Sequence, residues 1–463
     1  MSRHLHIAAA LGALLLGGCA SPRYVRPDVP VPPAYRGDTN ESGVASTVSH
    51  SEAATLGELR WQDLIRDEEL SKLIREAISH NLDAQMAAER VLEARAQFKV
   101  SRSALFPSVD ALVGYNNSRM LEMDTSANSL AGSLGWEIDL WGRIRNATAA
   151  ARAMLLASEQ GRRVVVDTLV SDVAGAYFLL RDLDLEIEIT RQALKLREDS
   201  LALVQLRVDN GYSSEIDLRQ AEVLVKSART ALTGLELQSE QTENLLATLL
   251  GRNPGPIARG RSLLDQELGP GLPPGLPSAL LDRRPDIRQA EQQLVADHAM
   301  VAVAKAAFFP RISLTASPGY ASSALLNLLK TSNGTWYVGA AGSLPIFNAG
   351  SVRAGVRAAE ARRQESLLAY QKTVQQAFRE VADALVGYRK LAELRTQQQG
   401  LVESLREGVE LADLAYKGGV VSYLEFLDAE RQLLDTQLLL VQIRRQELTN
   451  MVTLYRALGG GWE

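Results

Sequence analysis

The 463-residue chain is short of the residues that build several familiar kinds of protein. It has one cysteine, Cys19, which excludes an intramolecular disulfide framework and a multi-cysteine zinc site. Its net charge is −5, so bulk charge gives a nucleic-acid partner no support. No run of about 18 apolar residues follows Cys19, so no membrane-spanning helix is expected. Histidine is scarce: beyond Cys19 only His50, His80 and His298 occur. There is no H-E-x-x-H, G-x-S-x-G or G-x-x-x-x-G-K-[ST] pattern, hence no catalytic constellation and no metal cluster. The expectation is a protein that is not an enzyme, holds no cofactor and draws energy from a partner. Aromatics make up only 5% of residues. With 46% hydrophobic and 23% charged residues, wholesale disorder is nonetheless excluded.

What is present begins at the N-terminus. Arg3 precedes an uninterrupted small-apolar run from Ile7 to Leu16, then Gly17, Gly18 and Cys19. A positive flank, a short apolar core and small residues before a cleavage point define a secretory signal, here residues 1–18. Leu16-Gly17-Gly18-Cys19 resembles a bacterial lipobox, which implies a covalent lipid on Cys19. Ala20 follows, not an inner-membrane-retaining aspartate, so the resemblance implies the outer membrane. Residues 19–58 carry Pro22, Pro27, Pro30, Pro32 and Pro33 and then a Ser/Thr/Gly/Glu stretch, which reads as an extended tether.

Proline is missing from 108–253 and from 346–463, which leaves two long stretches free to be helical. The chain is also an internal duplication. Leu105-Phe106-Pro107 aligns with Phe308-Phe309-Pro310 at an offset of about 203. Gly142 aligns with Gly350, Gly211 with Gly419, and Leu250-Gly251 with Leu458-Gly459 at about 208. The repeats are 59–251 and 280–463, joined by a Pro/Gly-rich linker, 252–279.

Each repeat has the same order. A first helix of about 25–45 residues leads to Phe-Pro and a stretch of period two. In the first copy Val109, Ala111, Val113 and Tyr115 alternate with polar residues. After a polar loop, Leu130, Leu134, Trp136, Ile138 and Leu140 share one face. The second copy offers Ile312, Leu314, Ala316 and Pro318, then Trp336, Val338, Ala340, Gly342, Leu344 and Ile346. Long helices follow over 143–209 and 351–417, each about 100 Å at 1.5 Å per residue. After a glycine turn each returns through a helix, about 215–250 and 422–457. The fold class is mainly α with a small β part: long antiparallel helical hairpins plus four strands.

Four strands of about 10–12 residues suit a tilted bilayer crossing, but four cannot close a barrel and open edges are not tolerated in lipid. The chain must therefore oligomerise. Trp136, Trp141, Trp336 and Tyr337 would suit an interfacial girdle.

Here a family resemblance carries further. The stretch Leu280-Leu281-Asp282-Arg283-Arg284-Pro285-Asp286-Ile287-Arg288-Gln289-Ala290-Glu291, the stretch Ala304–Leu314 and the closing Leu454-Tyr455-Arg456-Ala457-Leu458-Gly459-Gly460-Gly461-Trp462 are similar to the TolC-like outer membrane factors, in their lipoprotein branch. The resemblance covers nearly the whole mature chain. It implies a homotrimer with a twelve-stranded transmembrane barrel and an α-barrel tunnel reaching into the periplasm. It implies a periplasmic adaptor and an inner-membrane transporter of the resistance–nodulation–division type as partners, with outer membrane lipid around the barrel. The function implied is a passive exit duct for drugs or other small toxic compounds. A duct for secreted polypeptides, or a lipid-anchored coiled-coil scaffold without a pore, are the alternatives.

The residues matching the family's periplasmic constriction are Asp217, Tyr416, Glu425 and Asp428, with Arg431 one turn on. Where the TolC branch has a gate arginine, this chain has Val421. Glu425 and Asp428 share a helix face, and in a trimer each acid becomes a ring of three. Arg431 is placed to pair with Asp428 and hold the tip closed. Gly211, Gly418 and Gly419 are expected to end helices by adopting positive φ. Pro285 and Asp286 suit the first turn of a helix, and Asp83 matches Asp286 in the first copy.

Overall fold

The computed structural model describes residues 24–33, 61–120, 123–267 and 277–460. Cys19, the signal segment, most of the tether and Trp462 lie outside the described residues.

The elements in chain order are α1 (Trp61–Leu64), α2 (Glu68–His80), α3 (Leu82–Ser103), β1 (Ser108–Met120), β2 (Met123–Ile138), α4 (Arg143–Asp209), α5 (Glu215–Leu249), α6 (Pro277–Arg283), α7 (Pro285–Ala306), β3 (Arg311–Ser322), β4 (Gly334–Ser343), α8 (Ser351–Lys417) and α9 (Tyr423–Ala457). The duplication is written into these bounds. Helix α4 runs from 143 to 209 and α8 from 351 to 417; α5 runs from 215 to 249 and α9 from 423 to 457. The positive-φ glycines fall in the same pairs: Gly142 with Gly350, Gly211 with Gly419, Gly251 with Gly459.

The residues gather into two compact units. Among the described residues, one comprises 24–29, 89–120, 123–161 and 286–373; the other comprises 30–33, 61–88, 162–267, 277–285 and 374–460. Each draws on both repeats.

The first unit holds a four-stranded antiparallel sheet in the order β1-β2-β3-β4. Its register sets Val109 opposite Leu134 and Val113 opposite Leu130, then Leu134 opposite Ala316 and Trp136 opposite Leu314, then Ala316 opposite Val338 and Leu314 opposite Ala340. Alternation in every strand and this register together give one continuous apolar face. The facing side carries Asp110, Ser129, Ser133, Glu137, Ser313, Thr315 and Ser317. Val113 is 81% exposed and Trp336 81% exposed, so the apolar face is uncovered in the single chain.

The strands differ from the sequence expectation at both ends. Residues 117–120 and 123–129, read as part of a polar loop, are paired strand: Asn117 opposes Ser126 and Ser118 opposes Thr125. Polar alternation carries no hydrophobic signal, so a strand continuing past its apolar band reads as loop. At the other end, Leu140 lies beyond β2, and Leu344 and Ile346 lie beyond β4, where Pro345 removes a ladder donor. The extra residues of the second copy form the longer connection 323–333, which contains two 3₁₀ turns. Trp141 is a packing residue rather than an exposed girdle member. Its indole N–H donates to the Pro310 carbonyl at 2.8 Å and its ring stacks on Phe309.

Elsewhere in this unit α4 and α7 meet through Ala150, Ala153, Ala296 and Ala299, small residues that allow close helix approach. The extended N-terminal segment is fastened to α7. Arg26 grips Glu291 bidentately at 2.8 and 2.6 Å, and Tyr24 meets His298 edge to face.

The second unit has the larger apolar core, with Leu70, Ile74, Tyr177, Phe178, Leu180, Leu246, Leu250, Leu263 and Tyr455 fully buried. The expected single first helix of each repeat is broken in two, and the break has a purpose. Asn81 accepts from the Ala84 N–H at 3.0 Å and donates to the Leu249 carbonyl at 2.9 Å, capping α3 while satisfying the C-terminal end of α5. Arg284 stands at the matching place and donates to the Ala457 carbonyl at the end of α9.

Candidate functional site: the hairpin tips

Both long helices end the same way. The Gly211 N–H donates to the Val208 carbonyl and the Tyr212 N–H to the Arg207 carbonyl; Gly419 and Val420 repeat these bonds to Tyr416 and Ala415. This double bond pattern closes a helix on a residue with φ near +74°, which an L side chain resists. Gly418 departs from expectation. It is not among the positive-φ residues, and its N–H donates to the Leu414 carbonyl as an ordinary last-turn bond. The left-handed position belongs to Gly419 alone.

The returning helices begin on serines. The Ser214 hydroxyl accepts from the Asp217 N–H at 3.2 Å, and Asp217 accepts from the Ser214 N–H at 3.1 Å, a reciprocal capping box. Burial alone would raise the Asp217 pKa, but hydrogen bonds from Ser214 and Ser213 outweigh it and hold the carboxyl below the usual carboxylate range. Ser422 caps α9 by accepting from the Glu425 N–H, and the Glu425 side chain is exposed.

On the next turn, Arg431 donates to Asp428 at 2.6 Å and Gln432 donates to its other oxygen. Arg431 first and then Gln432 hold the Asp428 carboxyl below its usual range, and Asp428 in turn raises Arg431. The expected pair is therefore formed within one helix face.

Tyr416 does not stand on that face. It is buried in a cluster with Val204, Leu218, Ala221, Tyr423, Phe426 and Leu427, drawn from α4, α5, α8 and α9. Its ring is stacked on Phe426, and the Arg207 guanidinium lies 4.8 Å from its centroid. The Tyr416 hydroxyl is buried with no hydrogen-bond partner among the described residues, whereas the Tyr423 hydroxyl meets that of Ser200 at 2.9 Å. Val421 packs against the same cluster. Sequence reasoning missed Arg207, Ser200, Tyr423 and Phe426. The signal was three aromatics within eleven residues of a chain poor in them.

Beside this core, α5 and α9 border a groove of about 710 Å³. Ile216, Val223, Leu224 and Leu424 are among its lining residues, with Glu215, Arg219, Asp428 and Arg431 also bordering it. Farther along α4, Asp182 is almost wholly buried and accepts from Arg445 at 2.8 Å, while Glu186 accepts from Gln442 at 2.9 Å. Burial, reinforced by the neighbouring Glu186 charge and opposed by Arg445, pushes the Asp182 carboxyl up to about 6.

Known proteins place this architecture. Residues 73–252 and 276–460 match the model of the outer membrane efflux protein family, two matched segments that follow the two repeats. The chain is 35% identical over 467 residues to the probable efflux pump outer membrane protein TtgC of Pseudomonas putida, covering 98% of this chain and 95% of that one. It is 35% identical over 454 residues to the probable outer membrane lipoprotein SilC of Salmonella typhimurium, with 97% of each chain covered. The open-state structure of the Neisseria gonorrhoeae MtrE outer membrane channel superposes with a TM-score of 0.86 at 32% identity, over 96% of this chain and 99% of that one. With the duplicated hairpins, the two-faced sheet and these likenesses together, the chain belongs to the outer membrane efflux protein family and is an outer membrane channel component of an efflux pump.

Proposed function

We propose that three copies of this chain close one twelve-stranded barrel, continue it as a helical tunnel, and constrict it at the hairpin tips. The observation that carries this reading is the sheet. Strands β1 and β4 are its two edges, and one continuous apolar face spans all four strands. Edges of that kind are tolerated in lipid only when closed by further strands. Three chains supply twelve, and the polar faces then line a wet lumen.

The chain provides the passage and no chemistry of its own, so transport is driven by an inner-membrane transporter, of the resistance–nodulation–division type, reached through a periplasmic adaptor. The groove between α5 and α9 suits an amphipathic adaptor helix: its floor is apolar and its border charged. An adaptor seated there meets the Asp428–Arg431 pair directly. Rings of Asp217, Glu425 and Asp428 favour cations and repel anions at the constriction. A lipid on Cys19 adds a second anchor beside the barrel, in keeping with the lipoprotein name of SilC. Relatives named for antibiotic and solvent efflux support small toxic compounds as cargo.

The gate assignment is tested by replacing Asp428 and Arg431 together with Ala. The expected result is a larger single-channel conductance of the closed pore in planar bilayers. Unchanged conductance would remove these residues from the gate.

A further inference from the structure

The polar face of the sheet is made of small side chains. Along the described strands it carries serine, threonine, glycine, alanine and asparagine almost throughout. Apart from charged residues, Leu112 and Tyr337 are the large side chains described on it, 54% and 61% exposed. Tyr337, expected beside Trp336 in an interfacial girdle, does not share its face, because neighbours in a strand point to opposite sides. Its ring lies back along β4 over Gly339, where an added Cβ would run into the Tyr337 hydroxyl and ring carbons. The ring therefore rests against the wall of the sheet and stays exposed.

Of the charges on this face, one shares a row with Tyr337. Glu137 is engaged by Arg143 at 3.0 and 2.7 Å. Arg311 begins β3 at its helix end, about 20 Å down the strand from Ser317. Asp110 is exposed and makes no hydrogen bond or ion pair among the described residues. It opposes Ser133, and Tyr337 opposes Ser317. The pairing of Leu134 with Ala316 sets those two serines side by side. The row across the four strands is thus Asp110, Ser133, Ser317, Tyr337. Three strand spacings put its ends about 14 Å apart at the backbone, and side chains on the inner face of a closed barrel converge. A carboxylate and an exposed aromatic ring flank a shelf with nothing bulky on it.

We propose that Asp110 and Tyr337 form a contact site for planar aromatic cations on the wall of the barrel lumen. The carboxylate meets the positive charge and the phenol ring meets the aromatic plane. This rests on the barrel proposed above and names the class of cargo its wall favours. A ring contact of this kind lengthens residence about two- to tenfold. A solvated carboxylate beside a cation adds about fivefold, weakened by salt. Contacts of that size slow a molecule without trapping it, which a conducting passage requires. An anion, or a neutral compound without a ring, gains from neither.

Ethidium is the probe. It is added to the purified full-length channel in planar bilayers, and the lengths of the current interruptions it causes are measured. Tyr337→Leu is expected to shorten them about two- to tenfold, and Tyr337→Phe to keep them. Asp110→Asn is expected to shorten them about fivefold at low salt. Tetrapropylammonium, a cation without a ring, is expected to respond to Asp110→Asn and not to Tyr337→Leu. Unchanged ethidium interruptions with Tyr337→Leu or with Asp110→Asn, or equal shortening of both cations by Tyr337→Leu, overturns the proposal. The barrel reading is checked separately with Tyr337→Cys and Trp336→Cys and a charged, membrane-impermeant methanethiosulfonate, the unsubstituted channel controlling for Cys19. Conductance is expected to fall for Tyr337→Cys alone. Any other pattern contradicts the barrel reading, and the proposal falls with it. A fall for Tyr337→Cys alone, with ethidium indifferent to Tyr337→Leu, defeats the contact site and leaves the barrel standing.

Discussion

Asp67 and Asp182 are both buried carboxylates, and their surroundings push them in opposite directions. Burial raises Asp67, but Gln266, Tyr177 and the backbone N–H groups of Leu70 and Arg261 outweigh it and hold the carboxyl low. These bonds cap α2 and tie the inter-repeat segment to α4 through Tyr177. Asp67→Ala leaves those donors without an acceptor and is expected to cost about 2–4 kcal/mol, read as a lower denaturation midpoint. Asp182 is raised, chiefly by burial, to about 6. A raised carboxyl means the packed chain holds a proton that the unfolded chain releases. The stability from this group is present at low pH and lost as pH rises through about 6. Asp182→Asn is uncharged at every pH and can still accept from Arg445. Its melting temperature relative to wild type is expected to rise between about pH 5 and about pH 7.5, and a constant difference would contradict the assignment. Neither role was legible in the sequence: Asp182 lies in a long helical run, where an aspartate reads as solvated until its neighbours are known, and the partners of Asp67 in the inter-repeat segment are distant in sequence. Asp428 and Arg431 were legible, since a spacing of three sets them on one face.

Among the elements, the helices were the easiest to read. Proline-free stretches interrupted by glycine turns located α4, α5, α8 and α9 almost to the residue, because helix breakers act locally. The breaks at Asn81 and Arg284 were less visible. Pro285 marks one, but Asn81 breaks its helix to reach a carbonyl at the end of α5, distant in sequence. The strands were legible only across their apolar band. Beyond it, Asn117, Ser118, Thr125 and Ser126 pair through backbone bonds that leave no trace in side-chain hydrophobicity. The tip turns give a sharp local test. Gly419→Ala forces an L residue into the left-handed region and is expected to cost about 1–2 kcal/mol. Gly418→Ala is expected to be close to neutral, since an added Cβ lies at 3.4 Å from its nearest neighbour. Thermal melts followed by circular dichroism compare the two, and equal losses would contradict the turn assignment.

For the whole molecule, the duplication organises everything above the single element. It predicts which surfaces are alike and, where it is broken, which are specialised. The groove at the tips belongs to this scale because α5 comes from one repeat and α9 from the other. Leu424→Asp places a charge on its apolar floor and is expected to abolish co-purification of the adaptor while leaving the bilayer conductance of the purified channel unchanged. Loss of both would show that the residue serves assembly and not docking. The central claim is that this four-stranded sheet is one third of a barrel, and the number of chains in the purified particle tests it most directly. Native mass spectrometry of the detergent-extracted protein is expected to give a mass three times that of the mature lipidated chain. A particle of one or two chains would contradict it.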